Sequence, residues 1–231
     1  MNELVTGDAY VAALSAEASD RIARTAFVEL ALELAPQRAR IFDFGCGPGQ
    51  DARSYAERGR EVFAHDVDAE MCASFRRNCA PGVARGEIHL VALDTPLPPV
   101  DLVTANFAPL NLVPEPAALF GKFHAMLAPG GWLLLSVLNP LHFGDLRYAW
   151  WWYGLASLVF EGHYSTAGAQ APITRWRPSR LAREAGPYFS LDSVYVPRSP
   201  RARRLRSPRH WLTAWSARFL FLEMRKLPAR P

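Results

Sequence analysis

Arg40-Ile41-Phe42-Asp43-Phe44-Gly45-Cys46-Gly47-Pro48-Gly49 is the stretch that decides the fold. A short apolar strand runs straight into glycines at alternate positions. Backbone without a Cβ reaches dihedrals closed to other residues and lets a ligand come close. A helix is expected from Asp51, read as its N-cap, to Gly59. Its N-terminal N–H groups and positive dipole end point at the same spot, which suits a carboxylate or a phosphate.

Outward from this turn, the pattern alternates. Residues 11–35 predict a helix with Val28, Ala31, Leu32 and Ala35 on one face, ended by Pro36. Residues 61–65 read as a second strand ending at Asp66. Asp68 caps a helix carrying Met71, Cys72 and Phe75, and Pro81-Gly82 breaks it. Residues 88–93 read as a third strand ending at Asp94, and 101–105 as a fourth. A helix over about 115–127 leads through Pro129-Gly130-Gly131, a turn, into a fifth strand over 132–137. Strands and helices joined by short connections imply a parallel sheet covered on both faces. Right-handed crossovers put the strands' C-terminal ends on one edge, where ligands bind beside the first strand.

Two phosphate-binding patterns are excluded by spacing. A dinucleotide fingerprint needs GxGxxG, and Gln50 occupies the place of its third glycine. Walker A needs a Gly-Lys-Ser/Thr that does not follow. The spacing is GxGxG with an acid, Asp43, two residues before the first glycine.

This segment resembles motif I of class I S-adenosylmethionine-dependent methyltransferases, and the resemblance continues in order along residues 20–140. It implies an α/β, Rossmann-like three-layer sandwich. The sheet would be mostly parallel, of about seven strands, with a C-terminal antiparallel strand and an aromatic lid inserted after strand five. One methyltransferase domain is expected over 1–231, its core at about 20–140 and 178–227 and its lid at about 139–177.

The resemblance also implies a cofactor, S-adenosyl-L-methionine, and its site. Asp43, Gly45, Cys46, Gly47 and Gly49 would meet its methionine part. Asp66, with Val67 beside it, would take the ribose hydroxyls, since a carboxylate's two oxygens match a vicinal diol. Leu93-Asp94-Thr95 would lie near the adenine amino group, and Asn106-Phe107 beside the methionine part. Leu127-Ala128-Pro129-Gly130-Gly131 resembles the family's turn before strand five. Transfer would be an in-line displacement in which the protein aligns the partners and excludes water.

The acceptor side is open. Residues 150–160 hold Trp150-Trp151-Trp152-Tyr153-Gly154-Leu155 and Leu158-Val159-Phe160, which would wall an apolar or aromatic acceptor pocket, rest at a membrane interface, or pack as core. At 13 residues, 148–160 is too short for the roughly 20 a spanning helix needs. His163, Tyr164 and His142 are the candidate proton acceptors, each with a packing role as the alternative. Tyr10 lies in the segment that folds over the cofactor in relatives, out of register with their tyrosine. A helix over 179–185 and strands over 189–196 and 217–226 follow, with the Arg/Pro/Ser-rich 197–209 read as a loop.

Half of the 231 residues are hydrophobic and 21% are charged, which excludes disorder as the default. The net charge of +4 is carried by arginine, since Lys122 and Lys226 are the only lysines. Arg198, Arg201, Arg203, Arg204, Arg206 and Arg209 would solvate a loop or meet an anionic membrane or carrier. Asn106-Phe107-Ala108-Pro109 stands where a nucleic-acid methyltransferase would carry Asn-Pro-Pro-Tyr, so no nucleic acid is expected. Three cysteines without a CxxC pair and scattered histidines predict neither a disulfide framework nor a metal. Met1-Asn2-Glu3-Leu4 does not begin a secretory leader, and a cytoplasmic location is expected, with contact at the inner face of a membrane left open. The function expected is methyl transfer to a small, hydrophobic or aromatic acceptor. The alternatives are a cofactor-binding partner that transfers nothing, and an enzyme acting on a macromolecule or lipid.

Overall fold

A computed structural model describes residues 17–167, 172–199 and 201–228. The first helix, α1 (Ala18–Leu34), leads into β1 (Arg40–Phe44), α2 (Gln50–Ala56), β2 (Glu61–His65), α3 (Ala69–Asn78), α4 (Ala80–Ala84), β3 (Ile88–Leu90) and β4 (Val100–Ala105). A 3-10 turn, Pro109–Leu112, precedes α5 (Pro116–Met126) and β5 (Leu127–Leu138). The insertion holds a 3-10 turn, Phe143–Asp145, then α6 (Ala149–Phe160) and the hairpin β6 (His163–Thr166) and β7 (Ile173–Trp176). The chain ends with α7 (Pro178–Ala185), β8 (Phe189–Val196), β9 (Arg203–Arg204), a 3-10 turn at Pro208–Thr213 and β10 (Phe219–Lys226). Residues 11–16 of the expected first helix, and Tyr10, lie outside the described residues.

The main sheet has the order β3-β2-β1-β4-β5-β10-β8-β9. β1 pairs in parallel with β2 on one side and β4 on the other, so the strand order reverses at its C-terminal end. β10 runs antiparallel to both β5 and β8. The Rossmann-like α/β fold is therefore as expected, with a two-residue eighth strand, β9, at the edge within the stretch read as loop.

Period-two alternation builds the two cores. Phe42, Phe44, Val103, Leu133 and Leu135 pack on one face, and Ile41, Leu102, Leu134 and Phe221 on the other with Phe27 and Ala31 of α1. Asp43 shares Ile41's face and is in register with Thr104, so two polar side chains meet at the C-terminal end of an otherwise apolar layer.

Three local expectations are corrected. Asp51 is not an N-cap: Gly49, at φ +87°, starts α2, and Asp51 sits buried in its first turn. β3 stops at Leu90, so residues 91–99 run beyond its pairing with β2. Pro129-Gly130-Gly131 lies inside β5, where the register against β4 jumps from Val100↔Leu127 to Leu102↔Trp132.

The insertion has its own small core of Trp151, Leu158 and Tyr164. Gly154 lets α6 cross the hairpin closely, since a Cβ there would stand 2.6 Å from the Tyr164 ring. Asn111 ties this unit to the sheet, donating to Thr174 O at 2.5 Å and accepting from Leu138 N at 3.1 Å. Among the described residues, no helix is long and apolar enough to cross a membrane.

Candidate active site

The glycine turn is held open by its neighbours. Gly45, Gly47 and Gly49 all have positive φ, at 68°, 53° and 87°. The N–H groups of Gly45 and Cys46 both donate to His65 O, at 2.8 and 3.0 Å, which fastens the turn to the end of β2. Asp66 is fixed through both carboxylate oxygens, one accepting from Gly47 N at 2.8 Å and the other from Asp68 N at 2.9 Å. Each oxygen keeps a lone pair for a further donor. Asp68 is the N-cap of α3 expected from the sequence, accepting from Glu70 N and Met71 N.

Gly45, Cys46, Gly47, His65, Asp66 and Asp68 line one cavity of about 380 Å³, within the size range of small-molecule sites. Of the expected binding residues, Asp43, Gly45, Cys46, Gly47, Asp66, Val67, Asn106 and Phe107 face it. Among the described residues and beyond its chain neighbours, a Cβ on Gly47 would find Met71 Sδ nearest, at 4.0 Å, so the bare backbone there fronts the cavity itself.

Four aspartates, Asp43, Asp51, Asp66 and Asp68, line this space. Asp43 is 2% exposed; Thr104 Oγ1 donates to its Oδ1 at 2.9 Å, while Oδ2 has no partner among the described residues. Burial, then the negative charge of Asp51, pushes the Asp43 carboxyl up to about 8, against the pull of Thr104 and Arg24. Asp51 is ion-paired with Arg24 and accepts from Asn106 Nδ2 at 2.7 Å. The Arg24 guanidinium also lies 4.5 Å from the centre of the Phe107 ring.

Phe107 and Ala108 are successive left-handed residues, φ 57° and 65°, a conformation that costs energy in non-glycine residues. Asn106 supports it by accepting from Phe107 N at 2.8 Å. The turn then packs on Gly45, where a Cβ would stand 2.6 Å from Pro109 Cβ. Pro109, Leu112 and Val113 close the cavity's apolar side. Burial raises the Cys46 thiol far above its ordinary range, so it lines the wall as a neutral group.

Other expected residues are not brought to the cavity. Gly49 is packed inside, where a Cβ would come within 2.8 Å of the Phe75 ring. Leu93, Asp94 and Thr95 lie beyond β3, outside the lining; Asp94 is exposed and accepts from Lys122 Nζ at 2.5 Å. Nor do the three proton-acceptor candidates line it. Tyr164 is buried with its hydroxyl donating to Pro140 O at 3.1 Å, and burial raises its phenol far above the usual range. His163 stacks on Trp176 with centroids 4.8 Å apart, and His142 Nδ1 lies 3.3 Å from Trp215 O. Arg24, Asp51 and Met71 are lining residues the sequence reading missed. Arg24 had a signal: a cation at helical spacing with Phe27, Val28 and Ala31 on an apolar face.

Residues 10–193 match the family model described as "Methyltransferase domain". The chain belongs to this family. Its methyltransferase domain is 37% identical over 105 residues to a trans-aconitate 2-methyltransferase of Methylobacterium nodulans, covering 45% of this chain and 40% of that protein. It is 35% identical over 113 residues to a tRNA 5-carboxymethoxyuridine methyltransferase of Escherichia coli K12, covering 46% and 43%. The chain thus spans less than half the length of these curated relatives. A solved 1,6-didemethyltoxoflavin-N1-methyltransferase of Burkholderia thailandensis has the same fold at TM-score 0.62 and 17% identity, over 99% of this chain and 94% of that one. No group of three or more metal-ligating side chains is found among the described residues.

Proposed function

We propose that the chain binds S-adenosylmethionine in the cavity over Gly45–Gly47 and passes its methyl group to a small acceptor with an apolar body. The observation that carries this reading is the company kept by the glycine turn. A bare backbone, an anchored Asp66 and the unpartnered oxygen of Asp43 share one mostly apolar space. The residues fit the cofactor's parts. Asp66 keeps one lone pair on each oxygen for a ribose diol, and the free Asp43 oxygen suits the ammonium of an amino-acid tail. When bound, the cofactor supplies a methyl group already activated by a sulfonium charge. The chain's own residues then orient, exclude water and set the charge around the site. Alignment of this kind supplies up to roughly 7–11 kcal/mol in favourable systems.

One observation favours a carboxylate as the accepting group. The imidazole lining the cavity, His65 at the end of β2, has Nδ1 3.1 Å from Val91 O just past β3, and the other histidine and tyrosine candidates lie elsewhere. A carboxylate is ionised at neutral pH and needs no base to take its proton. The two relatives named above act, by their names, on substrates that carry carboxylic acids. Arg24 is the cation on the cavity wall that would tolerate such an anion among four aspartates.

Calorimetry with S-adenosylmethionine and its demethylated product tests the cofactor site first. Binding of both is expected, and Gly47→Val should abolish it while the circular dichroism spectrum stays native. A panel of aromatic and aliphatic acids and matched phenols, scored with labelled methyl donor, then tests the acceptor. Label on phenols alone would overturn the carboxylate. Tight binding with no label on small molecules, but label on RNA or protein, would overturn the small-acceptor reading. Tight binding with no transfer at all would make the chain a cofactor-binding partner.

A further inference from the structure

Large apolar side chains are exposed unevenly over this molecule. Of the thirteen most exposed among the described residues, nine fall in 143–160 and 212–215. On α6, Trp152, Tyr153, Val159 and Phe160 are 59%, 83%, 51% and 87% exposed. Pairs seven apart share a helical face, and Ala149 and Ala156, also exposed, continue it between them. The opposite side of α6 already has its core in Trp151 and Leu158 against Tyr164, so this face is surplus to the fold.

The surface continues beyond the helix. Trp152 Nε1 donates to Leu146 O at 2.9 Å, and Phe143 N donates to Trp215 O at 2.8 Å. Phe143 and Trp215 are themselves 65% and 59% exposed, so the helix, the turn before it and the segment before β10 form one aromatic face. Contiguous exposed apolar surface of this kind marks an interaction site.

Charge identifies the partner. Residues 139–218 hold twelve arginines against four acidic groups, which puts +8 on this stretch and −4 on the rest of a chain whose total is +4. Arginines stand at both ends of α6: the Arg147 guanidinium lies 4.9 Å from the Tyr148 ring, and Arg177 Nη1 donates to Val159 O at 3.2 Å. Glu161 is the exposed acid adjoining the face. Tryptophan and tyrosine settle at the boundary between water and hydrocarbon, and an apolar helix face with basic flanks lies flat in that boundary. Negative lipid headgroups attract such a rim. A second copy of the chain would instead bring two positive rims together.

We propose that α6, Phe143 and Trp215 dock this protein peripherally on an anionic lipid surface. The docked unit adjoins the cavity, because Asn111 joins β7 to the turn whose Pro109 and Leu112 line it. The inference stands apart from the acceptor reading: a docked protein could methylate any acceptor.

Co-sedimentation with vesicles tests it, using the full chain at low salt. Vesicles of about equal parts phosphatidylglycerol and phosphatidylcholine should pull the protein down, and phosphatidylcholine alone should not. Added salt should weaken binding. Trp152→Ser combined with Phe160→Ser and Trp215→Ser should weaken partitioning by at least about tenfold. Tyr153→Ser alone, at a site with no core contact, should weaken it severalfold and guards against misfolding of the triple variant. Protein that stays in the supernatant with phosphatidylglycerol vesicles overturns the proposal. So does a triple variant that binds like the parent. A dimer seen by sedimentation velocity that the triple variant dissociates would assign the face to a second copy instead.

Discussion

Asp43 and Thr104 face each other across the β1–β4 pair, with the threonine hydroxyl 2.9 Å from one carboxylate oxygen and, among the described residues, nothing bonded to the other. The half-satisfied acid is therefore costly to ionise, and its carboxyl is pushed up to about 8 by burial first and Asp51 second. A carboxyl raised above its unfolded value of 3.8 binds more protons folded than unfolded between those two values. The stability it contributes is full below 3.8 and is lost as pH rises toward about 8. Asp20 and Glu223, also raised by burial, add slope of the same sign. Urea titrations of the ligand-free protein should show stability falling with pH over this window. Asp43→Asn should flatten the fall by up to about 1.4 kcal/mol per pH unit, the limit for one proton. An unchanged slope would mean that Asp43 is ionised in the folded state across the range.

Cofactor affinity should move the other way with pH, because an ammonium is best held by an ionised Asp43. Calorimetry below about pH 8 should show affinity rising with pH, approaching tenfold per unit where Asp43 binds the controlling proton. Asp43→Asn should bind weakly and lose that rise. A parent protein with flat affinity from pH 5.5 to pH 8 would move the amino group to another acid.

The glycines of the turn separate folding from binding. Alanine at Gly45 meets Pro109 Cβ at 2.6 Å at a positive φ, so Gly45→Ala should destabilise by about 1–3 kcal/mol. At Gly47 the nearest atom is 4.0 Å away, and alanine there meets only the left-handed penalty of roughly 1–2 kcal/mol. Gly47→Ala should lose at least about tenfold in cofactor affinity while melting later than Gly45→Ala. The reverse order of melting would contradict the packing of the turn on Pro109.

Arg24 neutralises a crowded acidic site from 27 residues upstream of Asp51. Removing one partner of a fully buried pair costs roughly 3–5 kcal/mol. Arg24's side chain is 23% exposed, so Arg24→Met should cost less, about 2–3 kcal/mol. Adding Asp51→Asn should recover most of that loss, because the orphaned charge is gone. A double variant as unstable as the sum of the singles would show that the two side chains contribute independently.

What could be read from the chain follows from how local each signal is. Residues 40–49 announce themselves because the strand's burial and the turn's bare backbone are written in ten consecutive positions. The partnership of Arg24 with Asp51 depends on α1 lying across α2, and no window on the sequence contains both. Asp51 reads as a cap because it opens a helical run, whereas left-handed Gly49 starts the helix without a side chain. The hairpin of β6 and β7 was hidden for another reason. α6 is apolar on both sides, so it lacks the one-sided period that marks a surface helix, and its boundaries blur into the strands beyond. β9 reads as loop because two exposed arginines at a sheet edge carry no apolar alternation.

Asp66 and Asp94 offer the sharpest test, since both stand after strands and the family resemblance gives both a part in cofactor binding. Their surroundings differ. Asp66 holds two backbone N–H groups of the turn and the following helix start, and it lines the cavity. The Asp94 side chain is 80% exposed and paired with Lys122, an arrangement worth little in water. Asp66→Asn presents an amide N–H to a backbone N–H, which should loosen the turn and weaken cofactor binding by about 1–3 kcal/mol, roughly fivefold to 150-fold. Asp94→Asn should leave affinity and melting temperature within error of the parent. Should calorimetry find the larger loss at Asp94, the segment beyond β3 must swing in over the cavity when the cofactor binds, and the resemblance would describe that bound state better than the ligand-free geometry does.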